Sequence, residues 1–170
     1  AARRELIKHA SDALSASKRA IFALHRDDTT EAQALFDQAE AALAAIAQMA
    51  ATRPGLADEG SYRAAQEEYS EAKLYRLFLE TGAIGTVAGV SDDEIYLAGL
   101  ADLTGELQRR QVRMATEGRT KEVAALKEMI EAVVIELLAI DLEGYLRTKF
   151  DQAKNNLRRA EEVLYDVTLR

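Results

Sequence analysis

Apolar residues recur at intervals of three and four along almost the whole chain, the period of helices with one buried face. Leu6, Ala10, Leu14, Ser17, Ile21 and Leu24 predict a first helix over about residues 3–26. Leu35, Phe36, Ala39, Leu43, Ile46 and Met49 or Ala50 predict a second over about 30–53, and the stretch around Pro54, the only proline, breaks it. A third helix is expected over about 60–82. Ser91 and Glu94 stand at capping-box spacing and predict the start of a fourth, which Gly118 ends. Val123, Leu126, Ile130, Val133, Val134, Leu137 and Leu138 mark a fifth over about 120–140. Leu146, Phe150, Ala153, Leu157, Ala160, Leu164 and Val167 mark a sixth over about 143–169. No segment alternates with the period of a strand. The expected class is all-α, a single domain over residues 1–170 forming an elongated antiparallel bundle of six to seven helices, with wide apolar faces suited to association between copies.

Two acidic pairs interrupt this pattern. Asp102 and Glu106 lie one helical turn apart within YLAGLADLTGELQR, residues 96–109, flanked by Gly99 and Gly105. Each glycine costs a helix about 0.5–1 kcal/mol relative to alanine, so close packing or function is expected to offset it. Glu68 and Glu71 form an i, i+3 pair whose face continues through Ala72, Leu74, Tyr75, Phe78 and Leu79. Such pairs are most often part of a solvated face. Against apolar neighbours, however, carboxylates must be protonated, paired or ligated, because burial disfavours the charged form. Mg²⁺ or Mn²⁺ takes oxygen ligands of this kind, and a bound cation serves phosphodiester hydrolysis by activating water and stabilising the departing oxygen.

Composition narrows the alternatives. The chain has no cysteine, which excludes disulfides and thiolate metal sites. No apolar run reaches the length of a membrane span and the first residues lack a signal-peptide core, so a soluble, cytoplasmic protein is expected, with no membrane partner. The net charge of −7 argues against nucleic acid, but basic residues cluster at Arg3 and Arg4, Lys18 and Arg19, Arg109, Arg110 and Arg113, Arg119 and Lys121, and Arg158 and Arg159. On long helices such clusters are ordinarily solvated faces. His9 and His25 are the only histidines, and no Glu-x-x-His pair is present, which removes the ferritin-like di-iron reading. The six tyrosines fall mostly at apolar spacing and are expected in the core.

Four stretches in order along the chain resemble the translin/trax family. YLAGLADLTGELQR is similar to the corresponding helix of trax, SKRAIFALHR (17–26) to its first helix, EEYSEA (67–72) to its Glu-Tyr-x-Glu-Ala motif, and AEEVLYDVTLR (160–170) to the end of translin. The resemblance implies an all-helical subunit that assembles into a hollow oligomer, usually of eight copies, which encloses RNA and cuts it with a divalent metal. It assigns Glu68, Glu71 and Asp102 as catalytic metal ligands, with Glu106 as an auxiliary ligand and Mg²⁺ or Mn²⁺ as cofactor. Arg109, Arg110, Arg113, Lys18 and Arg19 are then expected to contact RNA, single-stranded by preference and possibly duplex. The expected partner is the chain itself as a homo-octamer, with a separate translin-type subunit not required. The competing expectation is a non-catalytic single-stranded DNA- or RNA-binding oligomer of the translin type.

Overall fold

In the computed structural model, residues 2–169 are described, and they contain six α-helices, one short 3-10 turn and no strand. The helices are α1 (Ala2–His25), α2 (Thr29–Thr52), α3 (Gly60–Thr81), α4 (Asp93–Thr116), α5 (Thr120–Leu138) and α6 (Gly144–Thr168), and the 3-10 turn is Pro54–Leu56. Every expected helix is present, with ends displaced by no more than a few residues. Arg170, the last residue of the translin-like C-terminal stretch, lies outside the described residues.

The local chemistry at each end explains the boundaries. Asp27 takes the left-handed backbone conformation that aspartate tolerates, and Asp28 then caps α2 by accepting the Glu31 N–H at 2.9 Å. Pro54 cannot continue α2 and opens the 3-10 turn instead. Gly118 ends α4 with φ +73°, where a side chain would be strained, and the following Arg119 N–H closes back on the Met114 carbonyl at 2.9 Å. The start of α4 corrects the expected capping box. Asp92, rather than Ser91, caps the helix by accepting the Ile95 N–H at 3.1 Å. Glu94 does not turn back to the cap because the Arg63 guanidinium holds it at 2.9 Å and Asp92 at 3.1 Å.

The chain divides into two compact units, one up to Gly99 and one from Leu100, with the division falling inside α4. In the first, α1 packs along both α2 and α3. Because α1 is covered on two sides, its buried face is broader than a single stripe: Ala13, Ala16, Ala20 and Ala23 are buried with Leu6, Ala10, Ser17, Ile21 and Leu24, while Leu14 is only half-buried. These alanines carry no side chain beyond Cβ, and backbones can approach closely there. Leu6, Ala10, Ala13, Ala42, Ile46 and Ala65 form one core cluster, against which Leu14, Leu43, Met49, Leu56 and Tyr62 pack.

In the second unit, α5 buries Val123, Leu126, Ile130, Val133, Val134 and Leu137, and α6 buries Phe150, Ala153 and Ala160. Gln111 ties the three helices together. It is fully buried on α4 and donates from Nε2 to the Val123 carbonyl of α5 at 3.1 Å and to the Ala160 carbonyl of α6 at 3.0 Å. Several apolar positions expected in the core are exposed, namely Leu138, Tyr145 and Tyr165. A helix stripe wider than its neighbours can cover leaves its margins to solvent, and Val112, Ile135, Ile140 and Leu169 are exposed in this unit as well.

Candidate active site

The acids of α3 belong to the first unit. Along this helix Tyr69, Ser70, Glu71, Ala72, Leu74 and Tyr75 are all buried, so the face that the sequence pattern draws through Glu71 is a core face. Glu71 is 9% exposed, one of few polar residues buried among those described. The solvated-face reading of this pair does not hold for it. Glu68, one turn before, keeps 18% of its side chain exposed, and the Lys18 ammonium lies 3.8 Å from its carboxylate. Lys18, expected at an RNA surface, therefore stands beside one of the acids.

Gly99 supplies the close packing expected of it. A Cβ at this position would lie 2.8 Å from both Cβ and Oγ of Ser70 and 3.0 Å from the Glu71 backbone nitrogen. The backbone of α4 thus sits directly on α3 at the Ser70–Glu71 peptide, and glycine is what permits it. Gly105 behaves differently. A Cβ there would meet only the Asn156 side chain of α6, at an ordinary 3.5 Å, so no close packing requires this glycine.

Asp102 and Glu106 belong to the second unit. The Asp102 carboxylate accepts a hydrogen bond from the Lys149 ammonium of α6, and their side chains are 25% and 15% exposed. Burial pushes the Asp102 carboxyl above its ordinary range, against the pull of Lys149. Burial also works against the charge on Lys149, but the bond to Asp102 and the carboxylate charge outweigh it and hold the lysine protonated well above the neutral range. Lys149 also lies over the Tyr145 ring, 5.2 Å from its centroid. Two residues further, Thr104 Oγ1 donates to the Ala101 carbonyl at 2.6 Å and accepts from Asn156 at 3.0 Å, which steadies the stretch of α4 around Asp102. The Glu106 carboxylate is 3.9 Å from Arg109.

The remaining basic residues are largely engaged with acids on their own helices. Arg113 pairs with Glu117 at 2.8 Å, while Arg110 is half-buried and Arg109 exposed. Arg19 lines a cavity of about 490 Å³ with His9, Asp12, Ser15 and Gln38. His25 hydrogen-bonds Tyr75 at 3.1 Å, a packing role.

Among the described residues no group of three or more Asp, Glu or His is gathered in a metal cage. The donor chemistry nonetheless fits a hard cation. Every candidate ligand is a carboxylate, and Mg²⁺ is commonly held by one or two of these together with waters and substrate phosphates. Glu68 and Glu71 share a helix face, whereas Asp102 is committed to an internal cation, Lys149. Sequence reasoning missed Lys149 and Gln111. Both lie among ordinary helix polars, and only the packing of α6 and α4 reveals their roles.

These observations define an all-helical protein with one buried carboxylate, Glu71, on its third helix and half-buried Glu68, Asp102 and Glu106 on the third and fourth. The Translin family model matches residues 1–170, and the chain belongs to the Translin family. Among solved structures it is similar to apo-NeC3PO, with TM-score 0.89 and 21% identity over 98% of this chain and 89% of that one. It is likewise similar to AfC3PO solved as a complex with duplex RNA, with TM-score 0.85 and 22% identity over 99% of this chain and 90% of that one. AfC3PO alone gives TM-score 0.84 and 22% identity, over 98% and 89%. No curated protein matches. At these identities the likeness to the solved structures is one of fold. No helix among the described residues is long and apolar enough to cross a membrane.

Proposed function

We propose that this chain is a metal-dependent endoribonuclease in which Glu68, Glu71 and Asp102, with Glu106 as auxiliary, hold Mg²⁺ or Mn²⁺. The observation that carries the reading is the burial of Glu71, with Asp102 half-buried, at the positions that resemble the acidic motifs of trax. Carboxylates are the ligands that a hard divalent ion takes, and such an ion would also supply chemistry here. When bound, the cation supplies a water of lowered pKa and charge for the departing oxygen. The protein's own part is to fix the carboxylates: Gly99 holds α4 against the Glu71 peptide, and Thr104 with Asn156 steadies α4 after Asp102. Arg109, Arg110 and Arg113, with Lys18 and Arg19, neutralise the RNA backbone.

In this reading the chain works as a homo-oligomer, an octamer by family resemblance, that encloses its RNA. The exposed Ile135, Leu138, Tyr165 and Leu169 support self-association, since such residues are covered when copies meet. Light scattering that finds only a monomer removes this part. The duplex RNA bound to AfC3PO makes duplex as well as single-stranded RNA a substrate to test.

The test is cleavage of end-labelled single-stranded and duplex RNA with Mg²⁺, Mn²⁺ or a chelator, comparing wild type with Asp102→Ala and Glu71→Ala. Loss of cleavage with chelator and with either substitution is expected. Full-rate cleavage by Asp102→Ala refutes the assignment. A second reading, RNA binding without cleavage, is favoured by the absence of a gathered three-acid cage among the described residues and by the Lys149 pair on Asp102. It predicts retained binding with no turnover in any metal.

A further inference from the structure

We propose that the cavity between α2 and α3 is a binding site for an adenine base, carried by a neutral nucleoside or by an unpaired nucleotide of RNA. The site lies wholly within the first unit and does not depend on the nuclease reading. Its volume is about 400 Å³, in the range of small-molecule sites. Tyr62, Gln66 and Tyr69 follow one another along one face of α3, and Leu43, Ala44 and Ala47 along the facing side of α2. Both helices pack on α1, and where they face each other Ala44 and Ala47 carry too little side chain to fill the gap. Residues 88–90 of the connection to α4 line its margin.

The polar groups of the cavity differ in how far the protein satisfies them. Tyr69 donates its hydroxyl to Glu40 at 2.8 Å, and elsewhere in this unit Tyr75 bonds His25 and Tyr96 donates to the Gly85 carbonyl. Among the described residues neither the Tyr62 hydroxyl nor the Gln66 side-chain amide has such a partner, although both residues are half-buried. Burial accordingly raises the Tyr62 phenol above its ordinary value. At one end Lys73 pairs with Glu40 at 3.1 Å, so the charges there cancel and an uncharged ligand suits the cavity.

These features narrow the ligand. Apolar walls beside a tyrosine ring favour a flat aromatic molecule, and bases stack on such rings. The Gln66 amide presents a donor and an acceptor side by side, the complement of N7 and the N6 amino group of adenine. Guanine offers two acceptors on the same edge, and a pyrimidine has no N7. Tyr62 supplies a further hydroxyl to the base or its ribose.

The experiment is saturation-transfer NMR on the intact protein without added metal, titrating adenosine, guanosine and uridine, and separately the RNA trinucleotides of adenylate and of uridylate. Wild type is compared with Gln66→Leu, which removes the amide, and Ala44→Leu, which fills the cavity. Adenosine is expected to bind about tenfold more tightly than guanosine, Gln66→Leu to abolish that preference, and Ala44→Leu to weaken adenosine about tenfold. Leucine is a good helix former, so both variants should keep their helical circular dichroism; if one does not, the other carries the test. Selective binding of adenosine assigns a free nucleoside as the source of the base, and selective binding of the adenylate trinucleotide alone assigns an RNA strand. Either result supports the site when the substitutions weaken it. Binding of no adenine compound, binding without base preference, or binding unchanged in the folded variants overturns the inference and leaves the nuclease reading standing.

Discussion

Replacing Gly99 with alanine separates two effects of opposite sign. In the interior of a helix, alanine in place of glycine stabilises by about 0.5–1 kcal/mol, because the unfolded chain has less freedom to lose. Against this, the added Cβ would stand 2.8 Å from Ser70 Cβ and Oγ and 3.0 Å from the Glu71 nitrogen. Carbon atoms in ordinary contact sit about 3.5–4.0 Å apart, so α4 and α3 must part or distort by up to about 1 Å at this point. Overpacking of that kind costs about 1–3 kcal/mol, and one of the atoms in the way is backbone, which cannot swing aside. The net expectation is destabilisation by about 1–2 kcal/mol, which for a chain of this size lowers Tm by about 3–6 °C.

Thermal and urea denaturation at a fixed protomer concentration measure it, since association shifts Tm with concentration. Ser70→Gly sharpens the test by removing two of the three obstructing atoms. It weakens α3 on its own account by about 0.5–1 kcal/mol, but it should relieve most of the Gly99→Ala penalty, giving a coupling of about 1 kcal/mol in the double-mutant cycle. Gly99→Ala that stabilises the protein, or that adds independently to Ser70→Gly, refutes the close helix contact. In the nuclease reading the same displacement reaches Glu71 through its backbone, so kcat falls even where the protein remains folded.

Gln111→Ala removes two buried hydrogen bonds and leaves a void where α4, α5 and α6 meet, and a loss of about 2–3 kcal/mol in urea unfolding is expected. Asp92→Ala removes the cap of α4 and the Arg63 pair and should cost about 0.5–2 kcal/mol at neutral pH. The Ile95 N–H bonded to Asp92, aided by Arg63, holds its carboxyl below the ordinary value against the effect of burial. Its contribution is therefore present above about pH 4 and lost as pH falls through the lower folded value, so Tm curves of wild type and Asp92→Ala should converge in acid. Arg110→Ala should lower the slope of log affinity against log salt by about 0.7 for single-stranded RNA, measured by fluorescence anisotropy; an unchanged slope removes that residue from the RNA surface.

The helices and the acidic motifs were visible in the sequence for one physical reason: helical periodicity and backbone punctuation are local. Leu35, Phe36, Ala39 and Ile46 share a face whatever packs against them, and Gly118 ends a helix wherever that helix lies. What the pattern does not encode is which margins find a neighbour. Leu138 and Tyr165 continue apolar stripes that run past the packing available within the chain, while the small Ala13, Ala16, Ala20 and Ala23 prove buried because α1 is covered by two helices. The acids divide along the same line. Glu71 on a core face was readable from Leu74 and Tyr75 in register with it, and Gly99 signalled close approach through the cost of a glycine in mid-helix. Lys149, 47 residues away from Asp102, carries no such signal, because an isolated lysine at a helix position is the same letter whether it points to water or to a buried carboxylate. The charge state of Asp102 depends on that long-range contact. Motif resemblance thus marks the acids, while the cation beside Asp102 is set by packing that the motif leaves open.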